Sequence, residues 1–193
     1  MQLVDGNQVC DTAATMNQTG ALAAQFERLL EQHGGIIRKI AFGYTRNESD
    51  RRDLMQEIAL QLWRAYPRYS PDRSFSTWTY RIALNVAISF LRKKTRGGDD
   101  TVQFDERQHD TAQDEPRAAS DDRVGLLQEL MKSCPPLDRA LLLLYLDDCS
   151  YREIGAILGL SETNVATKLS RLKERLRQQL TKRKSNDEHD HAG

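Results

Sequence analysis

The sequence predicts an all-α fold of two small helical domains joined by a flexible acidic linker, and three observations carry that prediction. Apolar residues recur at helical spacing almost throughout, and no stretch alternates polar and apolar for long enough to form a strand. The pattern vanishes from 99 to 122, where nine residues are acidic, two are arginine and large apolar side chains are nearly absent. Finally, 193 residues are more than one minimal domain needs and enough for two modest cores.

Residues 1–18 are mostly polar and read as a disordered tail. In the first domain, 19–98, Leu22, Phe26, Leu29 and Leu30 line one face of a helix that Gly34 and Gly35 loosen. Ile36, Ile37, Ile40, Ala41 and Tyr44 continue the stripe until Asn47, Glu48 and Ser49 interrupt it. The next helix takes Ser49 or Asp50 as N-cap, turns Leu54, Ile58, Leu62 and Tyr66 inward, and stops at Pro67. Arg68 to Ser74 is a polar loop. Ser76 then caps a helix whose Trp78, Ile82, Val86 and Phe90 sit four apart, with Gly97 and Gly98 ending it.

After the linker, 99–122, the second domain spans 123–184. Val124, Leu127, Leu130 and Met131 restore the periodicity, Pro135 and Pro136 cut it, and Leu141 to Leu146 form a dense apolar run. Ser150 and Glu153 make a capping-box pattern ahead of Tyr151, Ile154 and Leu158. Gly159 ends that short helix and Ser161 caps the next, which keeps Val165, Leu169, Leu172 and Leu176 on one stripe. Residues 185–193 are polar and read as a disordered tail.

Composition narrows the function classes. With 28 basic and 28 acidic residues the chain is no global polycation, so any nucleic-acid site must be local. Cys10, Cys134 and Cys149 are odd in number and form no Cys-x-x-Cys pair, which argues against a disulfide framework or structural zinc and for a reducing cytoplasm. No apolar run is long enough to span a membrane, and the N-terminus lacks the pattern of a secretory signal. His33, His109, His189 and His191 stand in no metal-ligand spacing, and neither a phosphate loop nor a nucleophile elbow is present. The expectation is therefore a cytoplasmic protein with no cofactor, no metal and no catalysis of its own.

Three constellations remain. Tyr151 to Leu180 outlines a helix-turn-helix, with eight basic and two acidic residues from Glu162 to Lys184. Lys168, Arg171 and Arg175 share a face opposite the leucine stripe, and Asn164 and Thr167 lie in the first turns, which in a recognition helix enter the groove. A solvated basic face on an ordinary bundle helix would look similar. The second constellation is the acid-free helix from Phe75 to Arg96, where Arg81, Asn85, Ser89 and Arg92 form one hydrogen-bonding face near Tyr69, Phe75, Trp78 and Tyr80. Aromatics interleaved with arginine suit unstacked bases, although aromatics at helical spacing also serve as core, the better reading for Trp78. The third is Asp50, Asp53 and Glu57 with Gln56 nearby, which on residue pattern alone reads as a solvated helix face with a dipole-favoured acidic start.

These residues resemble a known family. Asp53-Leu-Met-Gln-Glu57, then Leu62-Trp-Arg-Ala, Phe75-Ser-Thr-Trp-Thr-Tyr-Arg-Ile-Ala-Leu-Asn85 and Leu91-Arg-Lys-Lys are similar to conserved region 2 of the extracytoplasmic-function group of sigma-70 factors. Cys149-Ser-Tyr-Arg-Glu-Ile-Gly-Ala-Ile-Leu-Gly-Leu-Ser161 and Ser170-Arg-Leu-Lys-Glu-Arg-Leu176 are similar to region 4. The resemblance implies an alternative sigma factor whose partners are core RNA polymerase, promoter DNA and an anti-sigma factor. It implies polymerase docking through Asp53, Gln56 and Glu57. It also implies minus-10 recognition and melting by the Arg68 to Ser74 loop, which holds Arg68 and Tyr69, and by Asn85; Phe75, Arg81, Ser89 and Arg92, from the pattern of the Phe75 to Arg96 helix, are the minus-10 contacts expected beside them. Minus-35 reading then falls to Asn164, Thr167, Lys168 and Arg171. Arg52, Ala59 and Ala166 depart from the family's acidic, aromatic and basic preferences. A stand-alone helix-turn-helix regulator and a nucleic-acid enzyme are the rival readings; the first would bind its duplex without polymerase, and the second would need a metal-binding cluster.

Overall fold

The structure is a computed structural model that describes residues 7–96 and 122–190, with side chains from 20 to 94 and from 125 to 182. The described elements are helices: α1 Asn7–Tyr44, α2 Glu48–Ala65, a 3₁₀ turn Tyr66–Arg68, α3 Phe75–Arg96, α4 Asp122–Ser133, α5 Pro136–Leu146, α6 Tyr151–Leu158 and α7 Glu162–Asp190. The linker expected at 99–122 lies almost wholly outside the described residues.

In the first domain α1, α2 and α3 pack against one another in every pairing. In α1 and α2 the core is the predicted stripe, with Phe26, Ile37, Ile40 and Ala41 and then Leu54, Ile58 and Leu62 buried; in α3 the buried residues are Tyr80, Ala83, Leu84 and Ala87, whereas Trp78, Ile82, Val86 and Phe90, expected to face inward, are half-buried at the edge of that core. Burying such a side chain contributes about 1.5–3 kcal/mol. That explains why α1 runs unbroken through Gly34 and Gly35, contrary to the loosening expected there. Each glycine costs about 1 kcal/mol in a helix interior, less than the apolar contacts on either side of the pair return.

The termini also differ from expectation. α1 begins at Asn7 and α7 continues to Asp190, so most of each segment read as a disordered tail has helical backbone. Apolar periodicity detects a buried face, whereas a helix already nucleated extends at the gain of one hydrogen bond per residue fixed. Residues 7–18 hold no proline or glycine to stop it.

Two helix starts shift as well. Asn47, not Ser49 or Asp50, caps α2: its Oδ1 accepts the Asp50 N–H at 2.8 Å, and its Nδ2 donates back to the Asp50 carboxylate at 2.9 Å. The cap falls where this exchange three residues apart can form. α3 starts one residue before Ser76, and the Ser74 carbonyl accepts the Trp78 N–H at 3.1 Å. Ser76 instead shares a 2.7 Å hydroxyl contact with Ser74.

The second domain follows its punctuation closely. Ser150 and Glu153 form the complete capping box, and Gly159 ends α6 in the left-handed region at φ 70°. Ser161 Oγ accepts the Asn164 N–H at 3.3 Å at the head of α7. Ile154, Ile157, Val165, Leu169 and Leu172 close the core with Leu141 and Leu144 of α5. The two domains also touch: α6 packs on α3, and α4 and α5 on α1.

Candidate polymerase and promoter interface

On α2 the turn of the helix that buries Leu54 and Ile58 leaves Asp53 and Gln56 exposed and Glu57 half-buried. The Glu57 carboxylate accepts from Gln61 Nε2 at 2.7 Å. Among the described residues neither Asp53 nor Glu57 enters an ion pair, whereas Asp50 is held by Lys94, and Glu48 by Arg51 and Arg52. Beside this face lie two large apolar side chains that the sequence reading did not assign to it, Leu60 and Trp63, 41% and 36% exposed. Leu60 stands off the Leu54, Ile58 and Leu62 stripe, the one signal that could have marked it.

On α3 the apolar side is buried while Arg81, Asn85, Ser89 and Arg92 lie exposed along one face. Asn85 and Ser89 border an open groove of about 420 Å³ between α3 and α2, together with Glu57, Gln61, Phe90 and Lys93. The α2 and α3 faces thus meet across one groove.

The loop before α3 is pinned by aromatic rings. Tyr69 packs on Phe75 and Trp78 at centroid distances of 5.3 and 5.1 Å, and its hydroxyl donates to the Arg73 carbonyl at 2.7 Å. Arg68 is exposed and Tyr69 half-buried, so both border the loop surface. Phe75 is the correction: only 6% exposed, with His33, Tyr69 and Trp78 around its ring, it props the loop and offers no face to a base.

On α7 Asn164, Thr167 and Arg171 are exposed and Lys168 half-buried, opposite buried Val165, Leu169 and Leu172. The Thr167 hydroxyl donates back to the Thr163 carbonyl at 2.9 Å, which leaves its methyl and an acceptor lone pair outward. The expected basic face is shorter than the sequence implies. Arg175 is engaged by Asp138 of α5, and Lys173 lies 3.8 Å above the Tyr145 ring.

Two family profiles match this chain, Sigma-70 region 2 over residues 29–97 and Sigma-70 region 4 over residues 125–176. The chain is also 30% identical to the ECF RNA polymerase sigma factor SigE of Mycolicibacterium smegmatis, over 89% of this chain and 68% of that protein. This chain belongs to the extracytoplasmic-function group of the sigma-70 family. A second relative is the ECF sigma factor SigW of Bacillus subtilis, 27% identical over 80% of this sigma factor and 88% of its own length. Among solved structures, CnrH in complex with the cytosolic domain of CnrY superposes with a TM-score of 0.61 at 24% identity, over 83% of this chain and 96% of that one. The sigma factor RpoE with the anti-sigma factor NepR from Bartonella quintana gives 0.59 at 19%, over 81% and 97%. Both support the fold. Region 2 is thus carried by α1 to α3 and region 4 by α4 to α7. This alternative sigma factor binds core RNA polymerase and directs promoter-specific transcription initiation. No described helix is long and apolar enough to cross a membrane.

Proposed function

We propose that this sigma factor docks on core RNA polymerase through Asp53, Gln56 and Glu57, with Leu60 and Trp63 as the apolar part of the same face. Carboxylates without ion-pair partners among the described residues, beside the exposed Leu60 and Trp63 side chains, fit an interface that supplies both a basic and an apolar counterpart. The minus-10 element is opened by the Arg68 to Ser74 loop and captured along Arg81, Asn85, Ser89 and Arg92. Asn164, Thr167, Lys168 and Arg171 read the minus-35 duplex. The observation that carries this reading is α3, whose own exposed residues supply donors and cations along three turns and no carboxylate, the chemistry that phosphate and base edges require. The protein works in the cytoplasm, where polymerase is, and performs no chemistry of its own. Its relatives CnrH and RpoE were solved with a CnrY domain and with the anti-sigma factor NepR, which supports control of this chain by an anti-sigma partner.

The test is run-off transcription from a promoter library by core polymerase with and without the purified chain. Transcripts from a defined subset of promoters, only when the chain is present, are expected. Silence on every promoter, with core enzyme shown active by another sigma factor, would sink the reading.

A further inference from the structure

The loop between α2 and α3 is held more firmly than a connection requires. Pro71 fixes the second position of a turn, and the Ser70 carbonyl accepts the Arg73 N–H across it at 3.2 Å. The Ser70 hydroxyl donates to the Asp72 carboxylate at 2.8 Å, which sets that side chain within the turn. The Tyr69 hydroxyl donates to the Arg73 carbonyl at 2.7 Å, and the Tyr69 ring packs against Tyr66, Phe75 and Trp78. The turn is thus tied to the aromatic wall of the first domain, and its side chains are placed before any ligand arrives.

The charge pattern around the turn is lopsided. Asp72 is the one acidic residue after Glu57 and before Gly97, a stretch that holds eight basic residues. Arg68, Asp72 and Arg73 are all exposed. Among the described residues none of the three enters an ion pair, although Arg73 follows Asp72 directly and Arg68 stands four positions before it. An aspartate that neutralises no neighbouring cation is at odds with a surface assembled for phosphate. It repels a phosphate placed over the turn and leaves the cations on each side free. One carboxylate about 6 Å from one phosphate in water changes affinity by about threefold. Each phosphate held by an arginine, in turn, steepens the salt dependence of single-strand binding by about 0.7.

We propose that this turn sets the register of the opened strand: Arg68 and Arg73 hold phosphates on either side, and Asp72 excludes phosphate from the position between them, so that a base comes over the turn. The arginines supply affinity. The carboxylate supplies selectivity, because it penalises every register in which a phosphate would lie there. Ser70 acts through Asp72 as a positioning residue. The inference deepens the role of the loop given under Proposed function and rests on it, with distinct parts for Ser70, Asp72 and Arg73.

The test measures holoenzyme binding, at several salt concentrations, to promoter DNA with a preformed mismatch bubble across the minus-10 element. One bubble carries a sequence that the wild-type chain transcribes, and the other a scrambled sequence. Arg73→Gln is expected to weaken both alike and to lower the salt slope by about 0.7. Asp72→Asn, nearly isosteric, is expected to act with the opposite sign: binding to the scrambled bubble rises by about threefold and the preference for the cognate one falls. Ser70→Ala is expected to act in the same direction as Asp72→Asn, by less. Titration of each variant against core polymerase is expected to match wild type, since the turn lies off the α2 docking face; a loss there would make the effect one of docking and overturn the inference. Binding of Asp72→Asn to the scrambled bubble that is unchanged or weaker also overturns it. If Asn85→Ala relaxes discrimination while the turn variants behave as wild type, promoter reading by α3 stands and the inference about the turn alone falls. If the wild-type chain does not distinguish the two bubbles at all, the reading under Proposed function fails and this inference with it.

Discussion

Gly155 and Gly159 stand four residues apart in the helix-turn-helix and meet different physical demands. Gly159 lies at φ 70° with open space where a Cβ would point, so only its backbone conformation requires glycine. Gly159→Ala is expected to cost about 1–2 kcal/mol, the penalty of an L-residue in the left-handed region. At Gly155 a Cβ would come within 2.6 Å of the Leu160 carbonyl oxygen, a backbone atom that moves only if the turn moves. Gly155→Ala should therefore reset the angle between α6 and α7 and weaken minus-35 binding by more than its stability loss explains. Thermal melts and duplex binding, measured on both variants, separate the two effects; equal loss of stability and of binding in both would refute the distinction. Nearby, the Ser150 hydroxyl and N–H hold the Glu153 carboxyl below the usual range. A depressed folded pKa means that this stabilisation is full above the ordinary carboxylate range and is lost as pH falls through the folded value. The stability advantage of wild type over Glu153→Gln should accordingly shrink in acid, as melts across pH would reveal.

α2, α3 and α7 each carry one buried stripe and one face directed outward, and the roles proposed above fall on the outward faces. Asn85 projects from α3 toward the α2 groove. Asn85→Ala should spare core binding and relax preference at one minus-10 position, because an extruded base is read by hydrogen bonds to its edge. Full discrimination across single-base promoter variants would refute that assignment. On α7, Arg171 is exposed and Lys168 half-buried, and two kinds of contact can be told apart by salt. Arg171→Ala should weaken all sequences alike and reduce the salt slope by about one, whereas Lys168→Ala should cost about 1–3 kcal/mol at a single base pair. Wild-type behaviour in both would make this face merely solvated. How far the sequence reveals an element depends on the range of the interactions that build it. The capping box, Gly159 and the leucine stripe act within a few residues, so the helix-turn-helix was readable directly. Phe75 escapes such a reading, because an aromatic residue beside arginines has the same local pattern whether it stacks on a base or, as here, on Tyr69 and Trp78. Arg175 shares the pattern of the basic face, and its partner Asp138 lies 37 positions away, beyond the reach of local pattern.

At the scale of the whole molecule, local pattern gave the two helical domains but not their contact. Lys39 and Asp147 are 108 positions apart, and nothing near either residue announces the pairing. The tether must serve a second, extended arrangement if both promoter elements are read at once. Halving the segment from Asp100 to Ser120 should impair initiation more than core binding, since the shortened chain would no longer reach between two separated docking surfaces. Normal run-off yield from the shortened chain, at matched core occupancy, would contradict this. The domain contact has one more consequence. Because both halves belong to one polypeptide, their association is unimolecular, and the ratio of packed to separated molecules is independent of how many copies a cell makes. Synthesising more chain multiplies both populations equally; only a ligand that prefers one of them changes the ratio.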